Sequence, residues 1–154
     1  MRDKDYRRII SRSIKIAVGS SLAIFVAQLL ELQNATSAGI ITLITIVTTR
    51  WETVQLSYQR VMTFFLSVVL ACVIFQAVPW AWVDYGIYIF VMAIVCQLLK
   101  WDSTVSLNAV IGTHFLVSQN FSIVFILNEF SLVLIGIIFA ILLNFYPRTP
   151  KSTV

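Results

Sequence analysis

Charged side chains are scarce in this sequence: they account for 12% of its 154 residues, whereas 59% of the residues are hydrophobic. Soluble domains carry about 25% charged residues. The mean hydropathy is correspondingly high, at +0.91. This composition excludes an ordinary soluble domain and indicates that most of the chain is surrounded by lipid.

Residues that bind metals or form disulfides are also few, with one histidine and two cysteines. Cys72 and Cys96 both lie inside apolar runs, where a thiol usually behaves as a small hydrophobic group. A lone histidine cannot build a metal cluster, and the sequence lacks Gly-x-Ser-x-Gly, His-Glu-x-x-His and phosphate-binding loop motifs. We therefore expect a protein that is not an enzyme and that uses no metal and no cofactor.

Six apolar stretches divide the chain, and polar or charged residues separate them. They comprise Lys15–Leu32, Ala38–Thr49, Val61–Val78, Val83–Leu99, Thr104–Ser118 and Ile123–Tyr146. A helix needs about 20 residues to cross the roughly 30 Å hydrocarbon core of a bilayer. The second and fifth stretches are short, so they could be re-entrant segments, which would leave four crossings instead of six.

The distribution of lysine and arginine favours six crossings, because these residues accumulate on the cytoplasmic side. With a cytoplasmic N-terminus, six crossings place all 11 of them inside. Four crossings would instead move Arg50, Arg60 and Lys100 outside. We therefore predict an all-α, six-span transmembrane helical bundle with both termini in the cytoplasm.

This topology divides the chain into a basic juxtamembrane segment at 1–13, a membrane domain at 14–146 and a cytoplasmic tail at 147–154. Arg7, Arg8 and Arg12 in the first segment are expected to bind anionic headgroups at the membrane surface. The basic residues behind the net charge of +4 are thus assigned to the cytoplasmic side of the membrane, so no nucleic-acid partner is expected.

An internal repeat emerges when the chain is aligned with itself so that Val26 matches Val95. The run Val26-Ala-Gln-Leu-Leu30 then aligns with Val95-Cys-Gln-Leu-Leu99. The alignment pairs span one with span four and span two with span five, and these partners cross in opposite directions. Residues 14–78 and 83–146 would then form an inverted three-plus-three repeat, which is common in secondary transporters.

Polar side chains are concentrated in the two short stretches. In transporters with inverted repeats, short segments at corresponding positions of the two halves point to the substrate site. Hydroxyl and amide groups in such helices can line a pathway, or they can bond to a carbonyl one turn away and pack against a neighbouring helix. Both interpretations remain open for the candidate pathway residues, which are Thr42, Thr45, Thr48, Asn108, Thr113 and His114.

His114 is the one histidine of the chain, and an ionisable ring at membrane depth is a candidate functional group because leaving it unpaired is unfavourable. It could carry a proton or bind a carboxylate. It could equally be a neutral ring whose hydrogen bond fixes the packing of two helices. Glu129 lies in the last apolar stretch, either at its outer boundary or slightly buried.

Several short motifs resemble the membrane domain of the Gram-positive aromatic acid exporter family, which is related to the fusaric acid resistance proteins. The resemblance extends over nearly the whole chain and rests on Lys15-Ile-Ala-Val, Arg50-Trp-Glu-Thr-Val54, Lys100-Trp-Asp-Ser-Thr-Val-Ser106, Thr113-His-Phe-Leu116 and Leu143-Asn-Phe-Tyr-Pro147. None of these motifs is a catalytic signature. The resemblance implies a six-span bundle in a bacterial plasma membrane and a role in exporting aromatic carboxylates.

The sequence departs from the family's pattern in two places. Many relatives have glycines at the start of the third span, whereas Arg60-Val-Met-Thr-Phe-Phe-Leu66 has none. Relatives also usually continue into a cytoplasmic C-terminal domain, whereas this chain ends at Val154. We therefore expect that domain to be absent here, either because the chain is a truncation or because this member has lost the domain.

Two functions remain open at this point. The first hypothesis is a secondary transporter that exports organic anions such as aromatic carboxylates through a pathway along spans two and five. The alternative is a non-transporting membrane anchor or assembly module in which the polar residues serve only packing. Six short spans enclose little volume, so we expect a homo-oligomer, with the lipid bilayer and a small organic anion as the other partners.

Overall fold

The computed structural model describes residues 2–46, 50–77 and 79–145. Within these ranges the chain forms six α-helices and no β-strand, which confirms the predicted all-α class. The helices are α1 (Arg2–Leu29), α2 (Thr36–Thr45), α3 (Arg50–Ile74), α4 (Ala81–Leu98), α5 (Val105–Ser118) and α6 (Ile123–Phe145), with a 3₁₀ turn at Asp102–Thr104. Thr48 and the tail at 147–154, which both belong to the predictions above, lie outside the described residues.

Four helices, α1, α3, α4 and α6, are long and apolar enough to cross a membrane. At 1.5 Å per residue, α2 is about 15 Å long and α5 about 21 Å, so both are shorter than the roughly 30 Å hydrocarbon core. More than half of the α2 residues are nevertheless buried. Helix α2 therefore belongs to the interior of the bundle, whereas α5 buries five of its 14 residues.

The helix boundaries follow the predicted apolar stretches closely except at the starts of α1 and α3. Helix α3 begins at Arg50, whereas the hydropathy pattern placed the third span from Val61. Backbone hydrogen bonds carry the helix through polar residues that a hydropathy pattern excludes. Arg60, which the sequence placed at the end of a span, consequently lies inside α3 and is only 1% exposed.

Helix α1 joins the basic N-terminal residues to the first apolar stretch without a break at residue 13. Its 28 residues make it about 42 Å long, which exceeds the thickness of the hydrocarbon core. Arg7, Arg8 and Arg12 lie near its N-terminal end and are exposed.

Helices α1 and α4 end in the same kind of turn. Beyond the end of α1, Glu31 adopts a left-handed conformation with φ of 56°. Beyond the end of α4, Lys100 does the same with φ of 60°. The amide of the next residue donates to the carbonyl five positions earlier, over 3.1 Å in the first turn and 2.8 Å in the second. Such turns satisfy carbonyls that a helix end leaves without partners. The self-alignment that matches Val26 with Val95 also matches Glu31 with Lys100, so the two turns fall at aligned positions.

Contacts with α6 give the direction of the helices in the first half. Gly19 of α1 lies against Leu143, near the end of α6, and Gln33, beyond the end of α1, bonds to Asn128 near the start of α6. Helix α1 is therefore antiparallel to α6. Helix α2 returns beside α1 and is thus parallel to α6.

Helix α3 is also antiparallel to α6. Thr53, near the start of α3, bonds to Asn144 at the end of α6. Further along α3, Phe64 packs against Phe130, with ring centroids 5.5 Å apart. Helices α1 and α3 therefore run in the same direction, with α2 between them in sequence.

Tyr88 of α4 connects this helix to α3 and α5. Its hydroxyl donates to the carbonyl oxygen of Asn108 on α5 over 2.8 Å and also bonds to Ser67 of α3. Its ring occupies the space that a side chain at Gly112 would need. Helices α4 and α5 form an antiparallel pair at this contact, which is fully buried.

The contact between α1 and α2 depends on Gly39. A Cβ atom there would lie 2.7 Å from Cδ1 of Ile24 and 3.0 Å from the carbonyl oxygen of Ser20. At Gly86 on α4, by contrast, a Cβ atom would meet nothing within 4 Å. We therefore expect Gly39→Ala to lower the unfolding temperature in detergent, because overpacking destabilises a core by about 1–3 kcal/mol.

Gly86→Ala is the matched control, and it should be neutral or stabilising because alanine favours a helix by about 1 kcal/mol over glycine. Intrinsic tryptophan fluorescence during heating measures both variants. A Gly39→Ala protein as stable as the Gly86→Ala protein would contradict the close contact between α1 and α2.

Candidate functional site

His114 of α5 and Glu129 of α6 form an ion-pair contact inside the bundle. The turn between these helices includes Gln119 in a left-handed conformation, with φ of 50°, and it makes α5 and α6 antiparallel neighbours. Nδ1 of His114 lies 2.5 Å from Oε2 of Glu129. The His114 side chain is 13% exposed and that of Glu129 is completely buried, so the histidine connects a buried carboxylate to the surface.

The second carboxylate oxygen of Glu129 is held by two amides. Oε1 accepts hydrogen bonds from Nδ2 of Asn34 over 3.2 Å and from Nδ2 of Asn128 over 3.4 Å. Asn128 also bonds to both backbone groups of Gln33, accepting from its amide over 2.8 Å and donating to its carbonyl over 3.0 Å. The loop before α2 is thereby fixed to the start of α6, and the buried carboxylate has donors on both oxygens.

The other ring nitrogen of His114 contacts Ser37, with Nε2 2.9 Å from the hydroxyl oxygen. When the ring is neutral and Nδ1 donates to Glu129, Nε2 accepts a hydrogen bond from Ser37. When the ring is protonated, Nε2 donates instead, because a hydroxyl serves as donor or acceptor. His114 can therefore gain or lose a proton without breaking either hydrogen bond.

An open pocket of about 260 Å³ adjoins this pair. Its lining combines polar and apolar groups from the loop before α2, from α5 and from α6, namely Gln33, Asn34, Thr113, His114, Val117, Ser118 and Phe125. His114 thus faces a space in which a small molecule or a proton-carrying water can reach the ring.

A second buried polar contact lies at the other end of α2. Nη1 of Arg60 donates to the hydroxyl of Thr45 over 2.5 Å, and Nη2 donates to the carbonyl oxygen of Ile44 over 2.7 Å. Nε of Arg60 is buried and has no hydrogen-bond partner in the described part of the chain. The hydrogen-bond partners given for this guanidinium by the described residues are thus a hydroxyl and a carbonyl oxygen.

The predicted pathway residues fall into different environments. Thr42 is buried and bonds to the carbonyl of Ala38 on its own helix, as the packing interpretation expects. Asn108 is buried, donates to the carbonyl of Thr104 and leaves Oδ1 without a partner in the described structure. Thr113 is exposed and lines the pocket beside His114.

Sequence reasoning did not find the partners of His114 or the burial of Arg60. The repeat contains a signal for both, because the shift that aligns the two halves also aligns Thr45 with His114 and Arg60 with Glu129. The residue types differ at both positions, so a search for identical letters misses them. Within the described ranges, no three histidine, cysteine, aspartate or glutamate side chains form a possible metal site.

The comparisons with known proteins bear on the whole of this helical unit. A family model described as aromatic acid exporter family member 1 matches residues 7–147. The chain belongs to the aromatic acid exporter family. The resemblance carried by the sequence motifs is thus confirmed, and the exporter-family membership together with the four long apolar helices identifies a membrane protein.

One relative of this exporter-family chain is the uncharacterized protein YqjA of Bacillus subtilis (strain 168), which is 34% identical over 135 residues. The aligned region covers 88% of this chain and 42% of the relative, so the chain spans about two fifths of the length of that protein. No solved structure matches the chain.

The two hydrogen bonds between Asn128 and Gln33, called the clamp below, can be tested by hydrogen exchange. We expect Asn128→Ala to accelerate exchange of the Gln33 amide by at least about tenfold, because that amide loses its acceptor. Ser131→Ala is the matched control, since the Ser131 hydroxyl donates within α6, to the carbonyl of Leu127. Equal exchange at Gln33 in both variants would contradict the clamp.

Proposed function

We propose that this chain is the membrane domain of a secondary transporter that exports organic anions such as aromatic carboxylates. The observation that carries the proposal is a protonatable His114–Glu129 pair facing a pocket in a member of an exporter family. An inside-negative potential drives an anion outward by about 2.3 kcal/mol per unit charge per 100 mV. Export therefore needs no covalent chemistry, and we assign the chain no enzymatic role.

We further propose that the chain crosses a bacterial plasma membrane six times with both termini in the cytoplasm. The directions of the helices support this topology. If α2 were re-entrant, α1 and α3 would run in opposite directions, whereas both are antiparallel to α6. By the same argument α5 is antiparallel to α4 and to α6, as a crossing segment would be. Flanking residues would then complete the crossings of the two short helices.

The packing also supports an inverted repeat of residues 14–78 and 83–146. The proposed repeat relates α1 to α4, α2 to α5 and α3 to α6. It therefore relates the contacts α1–α2, α2–α6 and α1–α6 to the contacts α4–α5, α5–α3 and α4–α3, and all six pairs are in contact. The repeat relates the contacts α3–α6 and α2–α5 to themselves, and it relates α2–α3 to α5–α6, which meet at His114 and Glu129. The matching turns after α1 and α4 agree with the same relation.

The pair offers a way to couple the charge of the site to pH. When Glu129 is ionised and the His114 ring is neutral, the pair carries one negative charge, which repels an anionic substrate in the pocket. When the ring is protonated the pair is neutral, and the repulsion disappears. One proton thus changes the affinity of the pocket for a carboxylate.

The rest of the proposed pathway follows α2 and α5, the short helices at the centre of the bundle. We assign Thr45, Asn108 and Thr113 to it together with His114. Thr45 bonds to Arg60, Asn108 leaves Oδ1 without a partner in the described structure, and Thr113 lines the pocket. The lipid-facing surface carries many large apolar side chains. We propose that part of it forms a homo-oligomeric contact, because a bundle of this size encloses little space.

The topology is tested with single cysteines in a chain that lacks Cys72 and Cys96. Ser103 and Ala81 are both exposed, so either position can react once it reaches water. We expect a cysteine at Ala81 to react with an impermeant thiol reagent in intact cells, and one at Ser103 to react only after the cells are opened. Reaction at Ser103 from outside would exclude six crossings.

The transport function is tested with purified protein in vesicles loaded with radiolabelled benzoate. We expect the wild-type protein to release benzoate faster than protein-free vesicles, and faster still under an inside-negative potential, which acts on the anion. His114→Gln should abolish this release or remove its dependence on pH between about 5 and 8, since glutamine hydrogen-bonds but does not titrate.

Stability and transport measured on the same purified protein show whether His114 serves only helix packing. In that case His114→Gln would lower stability by about 0.6 kcal/mol, the average for a hydrogen bond between membrane helices, and transport per folded molecule would remain pH-dependent. Ser131→Ala on α6 is the control for unrelated loss of a hydroxyl. Benzoate release equal to that of empty vesicles would contradict export of this class of anion.

A further inference from the structure

Arg60 is among the largest completely buried side chains in the described structure, at 1% exposure. A buried guanidinium is strongly unfavourable unless negative charge faces it. Its neighbours supply only a hydroxyl, from Thr45, and a carbonyl oxygen, from Ile44. The charge of Arg60 is therefore incompletely compensated by the described residues.

The unused donor of Arg60 is in the right place for a carboxylate. Arginine binds a carboxylate with two parallel hydrogen bonds from adjacent nitrogens of its planar fork. Nε has no partner among the described residues, and each Nη group carries two hydrogens while one bond from each is accounted for there. Nε and one Nη can therefore donate to a carboxylate while the bonds to α2 persist.

The contact of Arg60 with Thr45 has a counterpart of opposite charge in the other half of the chain. The alignment of the repeat matches Thr45 with His114 and Arg60 with Glu129. In both halves the residue on the short helix bonds to the residue on the following long helix, over 2.5 Å in each case. One half thus holds a buried cation where the other half holds a buried carboxylate.

Inverted repeats change access by letting the two halves exchange conformations. In the observed conformation the pocket lies beside His114 and Glu129. After an exchange, the equivalent pocket would lie beside Thr45 and Arg60, with Ile44, Leu56 and Ser103 in place of Thr113, Phe125 and Asn34. That pocket would open at the other membrane face and would have a guanidinium in its wall.

We propose that Arg60 binds the carboxylate of the exported anion when the transporter is open to the cytoplasm. Leu56 provides the apolar wall that an aromatic ring requires. The proposal rests on the export function above, and it assigns to Arg60 a role beyond capping the carbonyl end of α2. Capping the carbonyl end of α2 would use the two Nη groups and would not account for the buried Nε, which has no partner among the described residues.

The test measures binding of benzoate to the purified full chain in detergent by calorimetry, with benzamide as the uncharged comparison. We expect wild-type protein to bind benzoate at least about tenfold more tightly than benzamide. Arg60→Gln should weaken benzoate binding at least about tenfold. Arg60→Lys should weaken it less, because lysine keeps the charge but loses the fork.

Arg2→Gln is the matched control, since it makes the same change at an exposed position near the N-terminus, and it should leave affinity within about twofold of wild type. A folded Arg60→Gln protein that binds benzoate as tightly as wild type overturns the proposal. A wild-type protein that does not prefer benzoate to benzamide overturns it as well.

A second measurement needs no variant and therefore does not depend on Arg60→Gln folding. Phenylglyoxal modifies accessible arginines, and mass spectrometry reports each site. We expect Arg60 to be modified slowly in wild-type protein and benzoate to slow the reaction at least about fivefold, with no effect at Arg2. Unaltered modification of Arg60 in benzoate, or no modification in its absence, contradicts a site that opens to admit a carboxylate.

The outcomes separate this inference from the proposed function. Vesicles that export benzoate while Arg60→Gln binds it normally would retain the export function and exclude Arg60 as the binding residue. Binding that depends on Arg60, without release from vesicles, would retain the site and exclude export.

Discussion

Hydrocarbon offers no hydrogen-bond partner, so a polar group in the membrane-embedded part of this chain is satisfied chiefly by partners inside the protein. The effect is clearest at Glu129, whose two oxygens are bonded to a histidine and two asparagines. Those partners come from the loop before α2, from α5 and from α6. Satisfying one carboxylate thus fixes the relative position of three segments, and the pocket exists because they meet there.

Much of the helical architecture could be predicted from the sequence, because lipid makes the hydropathy pattern report directly on helix boundaries. The start of α3 was missed, since a polar first half of a helix looks like a loop by hydropathy although its backbone bonds are unaffected. Arg60 was misplaced for the same reason. A rule that counts arginines near span ends does not distinguish one at the surface from one that neighbouring helices enclose.

The candidate site was only partly predictable. His114 was identifiable because a titratable ring at membrane depth is rare. Its contact with Glu129 depends on the turn between α5 and α6, and the contact of Glu129 with Asn34 joins positions 95 residues apart. Neither follows from local pattern. The repeat relation between these residues and Arg60 became informative only once the structure gave each position a physical role.

Tyr88 makes the two halves of the bundle mechanically unequal. The repeat-related position in the first half is Gly19, which provides no hydroxyl to join three helices as Tyr88 does. In the proposed transporter, two identical halves would make the inward- and outward-open arrangements equal in energy. The contacts of Tyr88, which Gly19 cannot make, would then favour one of the two arrangements, and weakening them would bring the two energies closer together.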